Sequence, residues 1–206
     1  MHPILTEMVV RERIADLDRQ SRGIILPDGR RVTLRELRRE DRGSLADLFS
    51  RLSPDSRRNR FLAAKPRITG PELDHLSDVG HPAHRAEAAL NESDGSLVGV
   101  CRYVADPEHP AVGEVAIAVA DDFQNQGIGH ALAWRTLARA RANGVTLLTA
   151  TTLRENTKAR ALLNRFGFRI CSASGCDLEL CLDVGGGEPP LARPAQDREN
   201  RLDGPV

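Results

Sequence analysis

The chain has 206 residues, with 29 basic side chains balanced by 29 acidic ones and only 3% aromatic residues. That length suits one domain with a sizeable core rather than two full domains. Zero formal net charge gives no global pull toward nucleic acid or anionic membrane, and no apolar run reaches the roughly 18 residues of a membrane-spanning helix.

Charge is nevertheless uneven along the sequence. Residues 30–67 hold twelve basic and five acidic side chains, residues 68–122 hold two and eleven, and residues 123–170 hold eight and one. Such blocks read either as uneven solvated surface or as a cationic part for a phosphate-rich ligand beside an anionic part for a cationic one. A nucleic-acid face on the arginines of 30–67 is disfavoured by the scarcity of aromatic side chains for base stacking. The start MHPILTEMVVRER lacks the basic n-region and apolar middle of a secretory signal, so a cytoplasmic protein is expected. Cys101, Cys171, Cys176 and Cys181 form no C-x-x-C pair and have no histidine neighbours in sequence. Reduced, mostly buried thiols and no metal site are expected.

Residues 1–29 read as an N-terminal extension, partly helical or disordered, and residues 184–206, opening on GGGEPP, as a disordered tail. Between them, 31–34 reads as a short strand, and Leu45, Leu48, Phe49 and Leu52 fall at the i, i+3, i+4, i+7 spacing of an amphipathic helix. Ser53-Pro54 and Gly70-Pro71 each place an N-cap before a helical proline. Strands are expected at 86–90 and 97–104 around the turn Ser93-Asp94-Gly95-Ser96, then at 112–120 in a nearly all-apolar run. An Ala-rich helix with a blurred apolar face follows at 128–143, then a strand at 145–152. Asn156 caps the next helix, whose face is Ala159, Leu162, Leu163 and Phe166 and whose stop is Gly167. Strands at 168–172 and 177–182 complete the set. Hairpin strands followed by strands alternating with helices imply an α/β or α+β fold, a mixed sheet with helices on both sides.

The segment DDFQNQGIGHAL leads from the apolar strand straight into a helix. Unpaired N–H groups at a helix start carry partial positive charge and can cradle a diphosphate, and glycine lets backbone approach closely. A Walker loop and a dinucleotide fingerprint are both absent, the latter because Leu132 stands where a third small residue belongs. Gln124-Asn125-Gln126-Gly127-Ile128-Gly129 instead resembles the [RQ]-x-x-G-x-[GA] pyrophosphate loop of the GNAT acetyltransferases. The preceding VAIAV, and RENTKARALLNRFGF with its N-x-x-A and terminal Gly-Phe, strengthen the likeness, which spans about three quarters of the chain.

The resemblance implies the GNAT fold over residues 30–183, a mixed, mostly antiparallel twisted sheet flanked by helices, with acetyl-coenzyme A as co-substrate. It implies that Ile117, Ala118 and Val119 hold the pantetheine and thioester. It further implies that the amides of Gln124, Asn125, Gln126, Gly127, Ile128, Gly129 and His130 hold the diphosphate, and that Asn156 caps its helix, contacts the coenzyme, or both. Arg160 is read as a solvated helix position or a phosphate partner.

A lysine ammonium is neutral in only about one molecule in 2,500 at pH 7, so a base is useful. Glu114, in the apolar run AVGEVAIAVA, is that candidate; it shares a strand face with Ala116 and Ala118, and partial burial would raise its pKa. Pairing with an arginine at an exposed strand start is the plainer alternative. LSPDSRRNRF, LVGVCRYVADP and GEVAIAV are most similar to bacterial protein lysine acetyltransferases that act on acyl-coenzyme A synthetases, in which the matching glutamate is the base. Many GNAT enzymes carry a tyrosine four residues before the terminal Gly-Phe to protonate the thiolate; here it is Leu163, and the only tyrosine is Tyr103. A protein lysine is thus the expected acceptor, with a small-molecule amine, or a catalytically silent acyl-coenzyme A-binding module, as alternatives.

Overall fold

The computed structural model describes residues 23–185, so most of the expected extension and tail lies outside the described residues. Within them, eight strands form one sheet in the order β1-β2-β3-β4-β5-β6-β8-β7. It begins ahead of position 30: β1 (Gly23–Ile25) pairs antiparallel with β2 (Arg31–Glu36) through Gly23↔Thr33.

A 3-10 turn at Arg39–Asp41 leads into α1 (Arg42–Arg51), which buries Leu45, Leu48 and Phe49 as their spacing requires. Ser53 caps α2 (Pro54–Phe61), its Oγ accepting the Ser56 N–H at 3.2 Å. The cap of α3 (Gly70–Ser77) is Thr69 rather than Gly70. The Thr69 hydroxyl accepts the Glu72 N–H while the Glu72 carboxylate accepts the Thr69 N–H at 2.8 Å, a reciprocal pair that glycine cannot form.

The centre of the sheet is β3 (His84–Asn91), β4 (Leu97–Ala105) and β5 (Val112–Val119), antiparallel throughout. The chain then runs through α4 (Ile128–Ala142), β6 (Leu147–Leu153), α5 (Thr157–Arg165), β7 (Arg169–Ser174) and β8 (Asp177–Asp183). The α4 helix packs on one face of β3, β4 and β5, whereas α1 and α2 pack against β4, β5 and β6.

The blurred face of α4 has a physical cause. Arg135 and Arg139 point inward beside Leu132 and Leu137, where their Nε atoms donate to the two oxygens of buried Glu87 on β3 at 2.8 and 2.6 Å. Tyr103, fully buried, donates its hydroxyl to the Pro82 carbonyl and accepts from Asn143, both at 2.8 Å.

The charge blocks fold onto one another: Arg39 meets Asp78, Arg42 meets Asp74, Lys65 meets Glu72 and Arg30 meets Asp122. Much of the uneven charge is thereby spent in pairs across the block boundary. The cysteine expectation is corrected. The β7–β8 hairpin brings Cys171 and Cys181, ten residues apart, into a disulfide, and Cys176 is exposed; only Cys101 is a buried free thiol. Cross-strand proximity of this kind leaves no mark on spacing along the chain.

One irregularity in the sheet sets up the site. β5 and β6 form its parallel pair, yet they pair only at Val112↔Leu147, Gly113↔Leu148 and Glu114↔Thr149. Beyond Glu114 both strands continue but diverge. The edge of β5 that faces β6 therefore presents main-chain groups without a strand partner, which must find one elsewhere.

Candidate active site

The gap between the diverging strands opens a cleft of about 920 Å³, floored by residues 115–119 of β5 and 150–152 of β6. Its walls are α2, the turn before α4, and α5. Ile117, Ala118 and Val119 all line it, as do Gln124, Asn125, Gly127, Gly129, His130 and Asn156. Gln126 and Ile128 do not: the Ile128 side chain is fully buried in the core, and the Gln126 amide donates to the Asp122 carbonyl at 3.0 Å. These two can serve the cleft only through their main chain.

The turn's shape follows from its residues. Asn125 (φ 60°) and Gly127 (φ 90°) are both left-handed, a region open to glycine and tolerated by asparagine. Gly127 is the N-cap of α4 and offers no side chain to the first N–H groups of the helix, so these stay available to an anion, as in other main-chain nests. At Gly129 an added Cβ would meet only ordinary contacts, 3.6 Å from Ile117 and Leu162.

Gln124 braces the turn. Its Nε2 donates to the Val119 carbonyl and to Ser56 Oγ, both at 3.1 Å, while its Oε1 accepts from Lys158 at 3.0 Å. Asp121 ties α2 to the same turn by accepting from the Ser53 N–H and hydroxyl, both at 2.9 Å, and from the Ser56 hydroxyl at 2.7 Å. Burial pushes the Asp121 carboxyl up, but these hydrogen bonds outweigh it and hold the pKa below the usual value. Asn156 Oδ1 caps α5 by accepting the Ala159 N–H at 3.1 Å. Arg160 is not part of the lining; it donates to the Arg154 carbonyl at 3.0 Å.

Among the described residues, two of the lining hold buried polar atoms without a hydrogen-bond partner, His130 Nε2 and Thr152 Oγ1. The His130 ring stacks on Phe166 at 4.9 Å, and burial, then Arg165, push its pKa down. Orphaned polar atoms beside unpaired main chain mark a cleft shaped for a polar ligand. Leu163 lines it in a buried position, whereas Tyr103 is held on the far side of β4 and does not reach it.

A second cavity, of about 440 Å³, lies between α2, α3 and the β4–β5 face. Ala116 and Arg60 line both spaces, so the cavity adjoins the cleft where β5 begins to part from β6. Glu114 lines this cavity with Arg102, Val104, Glu72 and His75. Contrary to expectation, Glu114 is exposed rather than partly buried: on its face of the strand the space above it is cavity, not packed helix. Its exposure is that of the plainer alternative, and although it makes no ion pair within 4 Å among the described residues, it shares the cavity with Arg60 and Arg102 and acts electrostatically on Arg60.

Sequence reasoning passed over Arg60, Thr152, Lys158, Ser56 and Asp121. Lys158, two residues past the legible cap Asn156, is the one that local spacing could have flagged.

Residues 46–168 match the model of the acetyltransferase (GNAT) family. The chain belongs to the GNAT acetyltransferases. An acetyltransferase of Pseudomonas aeruginosa is 36% identical over 145 residues, covering 69% of this chain and 77% of that protein. Acetyltransferase Pat of Mycolicibacterium smegmatis is 28% identical over 95 residues, 46% of this chain and 28% of Pat. The GNAT domain of Streptomyces lividans PAT superposes with a TM-score of 0.72 at 22% identity, covering 79% of this chain and 96% of that domain. A Salmonella typhimurium structure of this fold, solved with its cofactor acetyl-CoA, gives 0.62 at 15% identity, covering 78% and 98%.

As a GNAT acetyltransferase the chain is an enzyme using acetyl-coenzyme A as co-substrate, and the cleft suits that molecule. It offers an unpaired β5 edge for an amide-rich arm, a left-handed turn at a helix start for a diphosphate, and orphaned polar atoms between them. Among the described residues no helix is long and apolar enough to cross a membrane, and no group of His, Cys, Asp or Glu could hold a metal ion.

Proposed function

We propose that this GNAT enzyme acetylates lysine side chains of proteins in the cytoplasm, with Glu114 as the general base. The observation that carries the reading is the placement of the Glu114 carboxylate in a cavity that adjoins the cleft through Ala116 and Arg60. An amine entering there meets the carboxylate on one side and the opening to the cleft on the other. The similarity of LSPDSRRNRF, LVGVCRYVADP and GEVAIAV to bacterial protein lysine acetyltransferases favours a protein lysine as acceptor, and the Streptomyces lividans PAT domain shares the fold.

Bound acetyl-coenzyme A supplies an activated acetyl thioester. The amides of Asn125 to His130 hold its diphosphate, Gln124 bracing the turn with its own N–H spent on the Asp121 carbonyl; the free edge of Ile117 to Val119 holds the pantetheine arm, and Asn156 Nδ2 contacts the coenzyme while its Oδ1 stays on the α5 cap. Glu114 takes the ammonium proton, directly or through one water in the open cavity, and an N–H near Val119 stabilises the negative charge that develops on the carbonyl oxygen. Holding amine and thioester together makes direct transfer sufficient, with no acyl-enzyme. Attack leaves the nitrogen with a second proton to shed; with Leu163 in place of an acid, that proton passes to the leaving thiolate, directly or through water, as the C–S bond breaks, and Glu114 returns its own proton to solvent.

The test is mass spectrometry of candidate proteins incubated with labelled acetyl-coenzyme A and either the wild type or Glu114→Gln. Labelled lysines in the first and none in the second are expected. Label confined to free amines would sink the lysine reading, and label unchanged by the substitution would sink the role of Glu114.

A further inference from the structure

The acceptor cavity holds more positive charge than an amine-binding site calls for. Of its charged lining, Glu72 is already committed: it pairs with Lys65 and accepts from the Thr69 N–H and hydroxyl, which hold its pKa down at about 2. His75 packs against His84 at 5.6 Å between ring centroids. That leaves Glu114 facing Arg60 and Arg102.

Neither guanidinium pairs with a carboxylate within 4 Å among the described residues. Arg60 lies in the last turn of α2 with its charge over the Phe61 ring, 5.0 Å from the centroid, and makes no hydrogen bond or ion pair among the described residues. Arg102 is 4% exposed, and only its Nη1 is engaged, donating to the Leu76 carbonyl at 2.8 Å and lying 3.2 Å from His84 Nε2. Burial pushes the pKa of both arginines down; Glu114 opposes this at Arg60, and Arg60 adds to it at Arg102. Both remain cationic at neutral pH all the same. Other partly or fully buried arginines meet carboxylates, Arg35 on Asp41, Arg85 on Glu36, Arg135 and Arg139 on Glu87, while Arg51, Arg57 and Arg160 donate to main-chain carbonyls.

Proton transfer does not relieve this excess. Passing a proton from the bound ammonium to Glu114 moves charge within the open cavity without changing the total, so two positive charges stay in excess before and after the step. A group carried by the acceptor can supply the counter-charge.

We propose that Arg60 and Arg102 form an anion subsite beside Glu114, so that the acceptor carries a carboxylate close to the amine that is acetylated. This rests on the cavity being the acceptor site. The carboxylate can belong to an acidic side chain flanking a target lysine or be the α-carboxylate of a free amino acid. Guanidinium recognition of the carboxylate is common to both.

Two measurements on the full chain test it. The first needs no turnover: the protein with coenzyme A is titrated calorimetrically with N-acetylglycine and with N-acetylglycinamide. The acid is expected to bind at least tenfold tighter, with the difference erased in Arg60→Gln and partly kept in Arg60→Lys, each titrated at a coenzyme A concentration that saturates that variant. Equal binding of acid and amide overturns the proposal. So does an Arg60→Gln variant that keeps the difference and loses acetyl-coenzyme A affinity instead, since that guanidinium also borders the cleft.

The second compares kcat/KM for a lysine peptide with glutamate or glutamine beside the lysine, and for free lysine or lysinamide. A preference of tenfold or more for the acid within the peptide pair, or within the amino-acid pair, names the source. Acetylation of all four at one rate, with Arg60→Gln slowing each equally and shifting its pH profile, would show the arginines acting on the amine itself. That result overturns the subsite and leaves the transferase reading standing. Tight acid binding with no acetylation of any amine would do the reverse.

Discussion

Replacing Glu114 with glutamine keeps the size and polarity of the side chain and removes its ability to take a proton. At pH 7 a lysine acceptor is neutral in only about one molecule in 2,500, and a positioned base contributes roughly 10²–10⁴-fold. Glu114 is exposed on its strand and opens on a cavity of about 440 Å³, so water can reach the amine and replace part of its work. The expected loss is therefore in the lower part of that range, ~10²–10³-fold in kcat/KM or about 3–4 kcal/mol. The assay is release of coenzyme A thiol across pH 6.5–10.5, with acetyl-coenzyme A binding measured in parallel. The deficit should shrink as pH approaches the amine's own pKa of about 10.4, because the acceptor then deprotonates unaided. Affinity for acetyl-coenzyme A should not change, since Glu114 does not line the cleft. A variant within twofold of wild type at pH 7, or one as impaired at pH 10.5 as at pH 7, refutes the role of general base.

Other expectations follow from the packing. Glu87→Ala removes the carboxylate on which the buried Arg135 and Arg139 converge and should cost about 3–5 kcal/mol in urea unfolding; a loss below about 1 kcal/mol would show the cluster to be dispensable. His84 is 3% exposed, and burial, then Arg102, push its pKa from 6.5 to about 4. The unfolded chain thus binds the proton first, so stability holds above pH 6.5 and falls as pH drops toward 4, by up to about 3 kcal/mol. His84→Gln, which still offers Arg102 an acceptor, should flatten thermal melts between pH 7 and pH 4.5, and an unchanged acid loss would rule the histidine out. Peptide mapping without reductant should recover a linked Cys171–Cys181 fragment, with Cys176 alkylated in the native state and Cys101 only after unfolding. Burial pushes the Cys101 thiol up to about 12, which adds to its inertness.

The sequence made the strand–turn–helix of 112–142 legible because an all-apolar strand, a Gly-x-Gly turn and a helix start are each local signals. The same holds for Leu45, Leu48 and Phe49 on α1 and for Asn156 on α5. What stayed hidden depends on partners distant in sequence. The charges on α4 obscured its inner face until Glu87, 48 and 52 residues away, appeared opposite them. Helix α2 buries no residue, since its inner face covers a polar cleft rather than core. It shows no apolar stripe, so the direction of Arg60 could not be inferred from periodicity. β1 is only three residues long and gave no alternation to read.

The grip of the turn before α4 on a diphosphate is open to one direct measurement. Asn125→Asp is nearly isosteric, keeps a residue that tolerates the left-handed conformation at φ 60°, and is exposed, so the fold should be untouched. Calorimetry with acetyl-coenzyme A should give one site per wild-type chain and at least fivefold weaker binding in the variant, about 1 kcal/mol of like-charge repulsion. No heat with the wild type, or equal affinity in the two proteins at equal thermal stability, would contradict the assignment.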